Sequence, residues 1–324
     1  MSVQAPNAVV LVRPHRFHPN PQTAADNAFQ RTAPSSVAVA AYQASTELAR
    51  RLSEAGVLVH LFEDDTGAHP DSVFPNNWFS THHGGRIAVY PMFAANRRGE
   101  RRADVIDFLK HSYRVQEVVD YSGFEPERLY LEGTGAMVLD HSARVAYAAR
   151  SLRSDPLLLE RFCTTFGYES ELFDALDSEG RPIYHTNVMM CIATDFALVC
   201  LESIVDPVRR ADITHRLEAS GRTVLPLTLT QVREFAGNAI ELRGRGPRRL
   251  LAISARAAAS LSPSQLAVIE SSCDLLTVDI APIELAGGSV RCMIAGIHLD
   301  PRSVPTTNPA PALNTADDVA VVPS

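Results

Sequence analysis

The chain has 324 residues, of which 46% are hydrophobic, so it can bury a large core as one big domain or two ordinary ones. Its 30 basic and 37 acidic residues give a net charge of −7, which argues against nucleic acid as a partner because proteins that grip phosphate backbones present a basic face. No stretch approaches the roughly 20 apolar residues of a membrane span, and the N-terminus lacks a signal-peptide pattern. Five cysteines without a CxxC pair also suit a reducing compartment, so we expect a cytoplasmic protein with no membrane partner.

The predicted elements follow a regular order along the chain. A helix is predicted over residues 34–56 and a strand over 57–62. Later segments repeat the order strand, strand, helix, strand. The clearest example comprises strand 196–202, helix 206–220 and strand 222–229. This helix starts at an Asp-Pro pair, which provides an N-cap and a first-turn proline, and it stops at Gly221.

A polar or glycine-containing turn followed by an apolar strand recurs at nearly equal intervals. The matching segments are 74–91, 131–140, 184–193, 235–244 and 286–295. The polar residues at the matching place in each segment are Asn77, Glu132, His185, Asn238 and Cys292. Such a repeat predicts five ββαβ units around an axis, with the five marker residues together at one end. Chance spacing in an alternating α/β chain is the alternative, and the chemistry of the markers argues against it.

Three of the markers are the residue types that nucleophilic catalysis requires. Cys292 follows two glycines that allow close approach of a ligand, and Arg291 adds a positive charge that favours the thiolate. His185 can act as general acid and base. Glu132 lies between an apolar strand and a glycine turn, where an unpaired carboxylate is costly, so a substrate nitrogen or the histidine is its expected partner.

The remaining cysteines and histidines are predicted to have other roles. Cys163, Cys191 and Cys200 each lie in an apolar stretch and are predicted to be buried core residues. The histidines without catalytic context, predicted to be solvated turn residues, are His82, His83 and His141.

The motifs LEGTG, YHTN and GGSVRCM resemble the Glu, His and Cys motifs of the guanidino-group-modifying (amidinotransferase) superfamily. Within it, the chain is most similar to the citrulline-utilisation hydrolases, also called arginine-deiminase-related, from Val12 to about Ile297. The resemblance implies a five-bladed α/β propeller, the pentein fold. It also implies Cys292 as nucleophile, His185 as general acid/base and Glu132 as a partner for substrate nitrogen, with no metal and no organic cofactor.

The domain organisation follows from the extent of this resemblance and from the composition of the C-terminus. Residues 1–300 are predicted to form a single α/β-propeller hydrolase domain. Residues 301–324, rich in Pro, Thr and Ala, are predicted to be an extended or partly disordered tail.

Two asparagines mark a departure from the deiminases. Asn77 and Asn187 stand where enzymes that bind cationic guanidinium have aspartates. A carboxylate only accepts hydrogen bonds and matches a guanidinium, which only donates them, whereas an Asn amide both donates and accepts and matches a neutral urea group. We therefore expect both asparagines to bind a ureido substrate, most simply citrulline.

Arginines are expected to bind the carboxylate at the amino-acid end of the substrate, because Arg forms bidentate pairs with carboxylates. The candidates, which stand where the deiminases keep substrate-contacting arginines, are Arg97, Arg98 and Arg150.

The sequence leaves several functions open. An arginine dihydrolase, a deiminase or a dimethylargininase-like enzyme are alternatives within the same superfamily, and a non-catalytic binding protein of the same fold is an alternative of another class. A metal hydrolase is disfavoured because the sequence has no clustered ligand motif such as HExxH. The expected partner is a small molecule, and a homo-oligomer remains open.

Overall fold

The computed structural model describes residues 3–34, 36–302 and 320–321. Its strands, in chain order, are β1 (Ala8–Pro14), β2 (Leu58–Asp64), β3 (Phe79–His82), β4 (Arg86–Val89), β5 (Glu117–Asp120), β6 (Met137–Asp140), β7 (Val145–Ala149), β8 (Glu169–Phe173), β9 (Met190–Ile192), β10 (Phe196–Val199), β11 (Thr223–Pro226), β12 (Ile240–Arg243), β13 (Arg249–Ser254), β14 (Cys273–Val278), β15 (Ala295–Gly296) and β16 (Ala320–Val321).

Helices and short helical turns connect these strands. The α-helices are α1 (Val37–Glu54), α2 (Ala103–Ser112), α3 (Gly133–Ala136), α4 (Pro156–Phe166), α5 (Pro207–Ala219), α6 (Leu229–Arg233), α7 (Ala255–Ser260), α8 (Pro263–Ser272), α9 (Ala281–Glu284) and α10 (Val290–Met293). The 3₁₀ turns span Pro75–Asn77, Ala95–Glu100, Ser122–Glu127, Thr186–Val188 and Leu201–Ser203. None of the helices in the described part of the chain is long and apolar enough to cross a membrane.

Within the described residues the strands form five small sheets of one design. In four of them three consecutive strands are ordered β3-β4-β5, β6-β7-β8, β9-β10-β11 and β12-β13-β14. The middle strand pairs antiparallel with the preceding strand and parallel with the following one. A parallel neighbour requires a crossover, and a helix supplies it in each unit. The ββαβ units predicted from the repeat are thus confirmed.

The fifth sheet is built from both ends of the chain. β15 pairs antiparallel with β1, through Val9 opposite Gly296 and Val10 opposite Ala295, and β1 pairs parallel with β2. This sheet has the same ββαβ order as the others, except that the chain enters it at the middle strand. β16 adds parallel to β2. The tail predicted over 301–324 otherwise lies mostly outside the described residues.

The hydrophobic core continues from sheet to sheet and closes into a ring. Apolar side chains of β4 pack with those of β6 and β7, those of β7 with β9 and β10, and those of β12 and β14 with β1 and β2. A last cluster joins β1 and β2 to β3 and β4. First strands of neighbouring sheets also contact one another, β6 with β9, β9 with β12 and β15 with β3. The molecule is therefore a five-bladed α/β propeller, as the sequence predicted, with the first strand of each blade nearest the axis.

Local sequence signals set the helix boundaries. The Asp206 side chain accepts a hydrogen bond from the Val208 amide and caps α5, whose buried face carries Ile213 and Leu217. α4 is built in the same way, with Asp155 as N-cap and Gly167 in the left-handed region (φ 68°) at its end.

Candidate active site

The turn before the first strand of each blade places one marker residue near the axis. Asn77 ends the 3₁₀ turn before β3, Glu132 precedes α3, and His185 precedes the turn before β9. Asn238 lies in the turn before β12, and Cys292 lies in α10 before β15. All five residues are at most 2% exposed. Contacts between the blades, given below, show that the equal spacing in sequence has brought these residues together.

Glu132 and His185 form the first of these contacts. His185 Nε2 lies 2.9 Å from Glu132 Oε2, and the Phe93 amide donates to Oε1 at 2.9 Å. Burial alone would raise the pKa of Glu132, but Arg153, His185 and Arg97 outweigh it and hold the pKa far below the usual value. The carboxylate is therefore ionised at neutral pH.

The protonation of His185 follows from this partner. Burial lowers the pKa of His185, and the favourable interaction with Glu132 only partly offsets the burial, so the ring is neutral at pH 7. Because an ionised carboxylate can only accept, the ring proton must sit on Nε2. Nδ1 then carries the lone pair and is the free base of the site. A Cβ at Gly135 would lie 2.8 Å from this nitrogen and 2.3 Å from Asn77 Nδ2, so only glycine fits at this position. His185 Nδ1 and Asn77 Nδ2 therefore both lie against Gly135.

Two amide groups surround the sulfur of Cys292. Asn238 Nδ2 lies 3.3 Å from Sγ and donates to the Asn187 carbonyl at 2.9 Å. Asn238 Oδ1 accepts from the Arg291 backbone amide at 3.1 Å, which fixes the orientation of this side chain. Asn187 Nδ2 lies 3.4 Å from Sγ. N–H groups directed at sulfur stabilise a thiolate, so the surroundings of Cys292 suit a nucleophile.

Arg97 is the centre of a buried ionic network beside Asn77. Its guanidinium lies 2.9 Å from Glu100, 3.4 Å from Asp71 and 3.6 Å from Glu132. Its Nη2 also donates to Asn77 Oδ1 at 3.1 Å. Burial raises the pKa of Glu100 to about 8 in spite of Arg97. Because Arg97 is occupied by protein acceptors, it orients Asn77 and the carboxylates rather than standing free for a ligand.

A segment around residues 20–31 covers the cavity that leads to Cys292. Asn20 donates to Asp71 at 2.8 Å, and Asn27 donates to the Ala286 carbonyl at 3.0 Å. Asp26 forms an ion pair with Arg153, with contacts of 2.6 and 2.7 Å, and Arg153 lies 3.4 Å from Glu132.

The cavity is lined by Thr23, Asn27, Asp71, Phe74, Asn77, Arg97, Arg153, Tyr184, His185, Ala286, Gly288 and Cys292.

The structure brings together most of the residues predicted for the site. Cys292, His185, Asn77 and Arg97 line the cavity, and Glu132 and Asn187 contact residues that line it. It does not bring Arg98 or Arg150 there. Arg98 is partly exposed and pairs with Glu125 at 3.3 Å, and Arg150 is half exposed and pairs with Asp174 at 3.1 Å.

Sequence reasoning missed four residues of the site. Asn238 was recognised as a marker of the repeat but not as a contact of the sulfur, although its equal spacing was the signal. Arg153 is three residues from the predicted Arg150 and carries no distinguishing motif. Asp26 and Asp71 come from irregular segments whose position the repeat does not fix.

Two histidines predicted to be solvated are in fact buried. His82 is 1% and His141 8% exposed, and the Tyr168 hydroxyl lies 3.3 Å and 2.9 Å from their Nδ1 atoms. The prediction was wrong because the strand ends that carry them point into the space between two blades. His83, in the same turn as His82, is exposed as predicted, and Cys163, Cys191 and Cys200 are buried as predicted.

The sequence and fold can now be compared with known proteins. A family model described as eukaryotic N,N dimethylarginine dimethylhydrolase matches residues 13–299. The chain belongs to this family. As a dimethylarginine dimethylhydrolase family member it is a hydrolase of C–N bonds in arginine derivatives, and its membership of the guanidino-group-modifying superfamily, predicted from the motifs, is confirmed. A search of curated proteins finds no match to this chain.

Solved structures share the fold of this dimethylarginine dimethylhydrolase family member at low identity. The N-terminal domain of ArgZ, covalently bound to a reaction intermediate, has a TM-score of 0.72 at 16% identity, over 90% of this chain and 98% of that one. Apo ArgZ, a cyanobacterial arginine dihydrolase of the ornithine-ammonia cycle, scores 0.71 at 17%, over 90% of this chain but 40% of that one. A dimethylarginine dimethylaminohydrolase adduct scores 0.63 at 14%, over 90% and 99%. These likenesses show the propeller fold.

Proposed function

We propose that this protein hydrolyses the ureido group of citrulline to ornithine, CO₂ and ammonia, through a thiocarbamate on Cys292. One observation carries the choice of a ureido over a guanidino substrate. Asn77 Oδ1 accepts from the Arg97 guanidinium, which has only donors, so the Nδ2 group must face the other way. This Nδ2 group is buried and has no hydrogen-bond partner. A substrate oxygen would satisfy it, and a guanidinium has none to offer.

The groups around the sulfur support the same substrate. Asn238 directs an N–H donor at Sγ, and Asn187 has its Nδ2 at 3.4 Å and its Oδ1 at 3.7 Å from the sulfur, so amide N–H donors are available at the reacting centre. A urea carbonyl, and the oxyanion that forms from it, accept such hydrogen bonds, whereas guanidinium N–H groups would face other donors. An unsatisfied buried donor costs about 1–3 kcal/mol, which is enough to decide between substrates of equal shape.

The amino-acid end of citrulline matches the other unsatisfied group of the cavity. Asp71 Oδ1 is buried without a partner, and a carboxylate oxygen suits an α-ammonium group. Arg153, whose present partners are Asp26 and Glu132, suits the α-carboxylate if Asp26 gives way to it. In this proposal Arg153 takes the role that was expected of Arg97, Arg98 and Arg150.

The first half of the reaction forms the covalent intermediate. His185 Nδ1 takes the proton of the Cys292 thiol, and the thiolate attacks the ureido carbon. The carbonyl oxygen becomes an oxyanion, for which the amide of Asn77 is a donor. His185, held by Glu132, then gives its proton to the terminal nitrogen, and the C–N bond breaks to release ammonia. The thiocarbamate of ornithine remains on sulfur.

The second half of the reaction returns the free enzyme. His185 takes a proton from water, and the resulting hydroxide attacks the thiocarbamate carbon. The C–S bond breaks, the proton returns to the thiolate, and N-carboxy-ornithine leaves. This carbamate loses CO₂ to give ornithine. One water is consumed for each ammonia released.

An arginine dihydrolase is the second candidate function. The chain shares the fold of ArgZ, an arginine dihydrolase. A dihydrolase must bind a guanidino group in its first round of hydrolysis and a ureido group in its second, in the same site. The carboxylate of Glu132, ionised and near Asn77, is an acceptor that could serve a guanidinium in the first round.

One assay separates these functions. The purified protein is incubated with citrulline, arginine, methylated arginines and agmatine, and ammonia and ornithine are counted. The proposal expects one ammonia and one ornithine from citrulline and little turnover of arginine. Two ammonia molecules per ornithine from arginine would establish the dihydrolase instead. Citrulline accumulating from arginine or dimethylarginine, with no ornithine, would overturn the proposal.

The thiol chemistry also supports a cytoplasmic location. All five cysteines are free and buried. A nucleophilic thiol must remain reduced, and the reducing cytosol keeps it so.

A further inference from the structure

A second cavity lies on the propeller axis, among the first strands of the five blades. It has a volume of about 50 Å³. Each blade contributes to its wall close to its marker residue, through Phe79, Thr134, Met190, Ala239 and Arg291. The outer end is closed by Gln4, which donates to the Leu139 and Ile192 carbonyls at 3.0 and 2.9 Å. None of the catalytic groups described above lines this space, so it is separate from the substrate cavity.

Arg291 is the cation of this axial cavity. Its Nη1 donates to the Ile294 carbonyl at 2.9 Å, and no carboxylate of the described residues lies within 4.0 Å of its guanidinium. Burial lowers the pKa of Arg291, which reflects the cost of a charge held inside the protein without an ionic partner. The cavity, which Arg291 lines, is where its remaining donors can find a partner.

The other ionisable groups of the cavity leave the charge of Arg291 uncompensated. Burial, together with the charge of Arg291, lowers the pKa of His298 to about 3. His141, stacked on His298 at 3.8 Å, has its pKa lowered by burial and by the charges of Arg144 and Arg291. The acidic residue in the wall, Glu241, is already bound by Arg249 at 2.7 Å and Thr194 at 2.6 Å. Nothing in the described wall therefore neutralises Arg291.

We propose that the axial cavity binds a small inorganic anion, of the size of chloride or bicarbonate, on the guanidinium of Arg291. The size follows from the volume, because one water needs about 10–15 Å³ and the space therefore holds a few waters or one small ion. The charge follows from the unpaired cation and from the absence of a free carboxylate in the described wall. A larger organic anion such as gluconate does not fit.

Thermal unfolding in different sodium salts tests the site. At constant ionic strength, replacing gluconate by chloride or by bicarbonate should raise the Tm of the full chain by about 2 °C or more at saturation. A response to one of the two salts identifies the anion. Arg291→Met should abolish the rise and Arg291→Lys should keep part of it. Arg248→Met is the matched control, because Arg248 lies outside the cavity and pairs with Asp274, and it should keep the full rise.

Crystals soaked in bromide give a second readout that needs no variant. An anomalous peak within hydrogen-bond distance of Arg291 in the parent protein is the expected result. Equal Tm values in all three salts, or equal shifts in the parent and Arg291→Met, would each overturn the proposal. A bromide-free cavity would overturn it where chloride raises the Tm.

Discussion

At the scale of single residues, the reacting centre is defined by amides where a cationic substrate would call for carboxylates. Asn77 and Asn238 each have their amide oxygen bound by the protein and an N–H group near the reacting atoms, and the Asn187 amide contacts the sulfur itself. Their chemistry can be changed with almost no change of shape by substituting aspartate. The charge at each position is therefore a direct test of the role assigned to it.

The first prediction concerns the nucleophile. Cys292→Ser should lower turnover by about 10³-fold or more, because a hydroxyl does not ionise near neutral pH as a thiol can. The fold should be intact by circular dichroism. Cys200→Ser is the matched control, since Cys200 is buried and already contacts the Ser203 hydroxyl at 3.1 Å, and it should keep activity. Activity of Cys292→Ser within tenfold of the parent would exclude the covalent mechanism.

The second prediction concerns Asn77. In Asn77→Asp a carboxylate faces the urea oxygen, so kcat/KM for citrulline should fall, and the ratio for arginine over citrulline should rise by about tenfold or more. Asn96→Asp adds the same charge to a residue outside the cavity, hydrogen bonded to Asn20, and should leave the ratio unchanged. An unchanged ratio in Asn77→Asp would place Asn77 outside the reacting centre.

The third prediction concerns Asn238, which donates a hydrogen bond to Cys292 Sγ but was not assigned a catalytic role from the sequence. Asn238→Asp keeps the acceptor for the Arg291 amide and replaces the donor at Sγ by a charged oxygen. The rate of alkylation of Cys292 by iodoacetamide at pH 7 should fall about tenfold. Asn96→Asp again serves as control for charge. A parent-like alkylation rate would show that Asn238 only packs.

At the scale of elements, helix caps differ in what they contribute. The Asp155 side chain accepts from the amides of Leu157 and Leu158 at 2.9 and 3.3 Å, whereas Ser36, at the same position of α1, makes no side-chain cap. Asp155→Ala should lower the free energy of unfolding by about 1 kcal/mol, measured by urea denaturation. Ser36→Ala should change it by less than about 0.5 kcal/mol. Equal effects would mean that the cap geometry does not matter here.

The elements that were predicted well from the sequence are those whose boundaries are set by residues close to them in the chain. The helix starting at Asp206 and the turns before β6, β9 and β15 have signals within a few residues, namely Asp-Pro, glycines and an apolar run. The α1 helix, Val37–Glu54, is shorter than its predicted range 34–56. Its C-terminal end is followed by Gly56, whose left-handed backbone (φ 86°) ends the helical path. The split of the fifth blade between both ends of the chain has no local signal, since it depends on closure of the ring.

At the scale of the whole molecule, buried neutral histidines make stability depend on pH. Burial lowers the pKa of His60 to about 4 and of His298 to about 3, and it lowers those of His82 and His141 well below the usual value. In the unfolded chain all four bind protons near pH 6.5. Their contribution to stability is therefore complete above pH 6.5 and is lost as the pH falls towards the folded values.

The expected result is a fall in the urea midpoint between pH 7 and pH 5. Glu100 and Glu284, whose pKa values are raised by burial, act in the opposite direction, but four histidines outnumber them. His60→Gln should reduce the pH dependence, and His83→Gln, at an exposed position, should leave it unchanged. A midpoint that is constant or rises on acidification would contradict this account.

The pairing of β15 with β1 has a consequence for folding during synthesis, because the two strands are made at different times. A ribosome makes β1 first, but the strand that completes its sheet, next to Cys292, comes nearly 300 residues later. At about 5–20 residues per second, β1 waits on the order of 15–60 seconds for this partner. Its open edge is meanwhile a place where another chain can pair. The nucleophile arrives with the strand that closes the ring, so a nascent chain cannot react with substrate before its fold is complete.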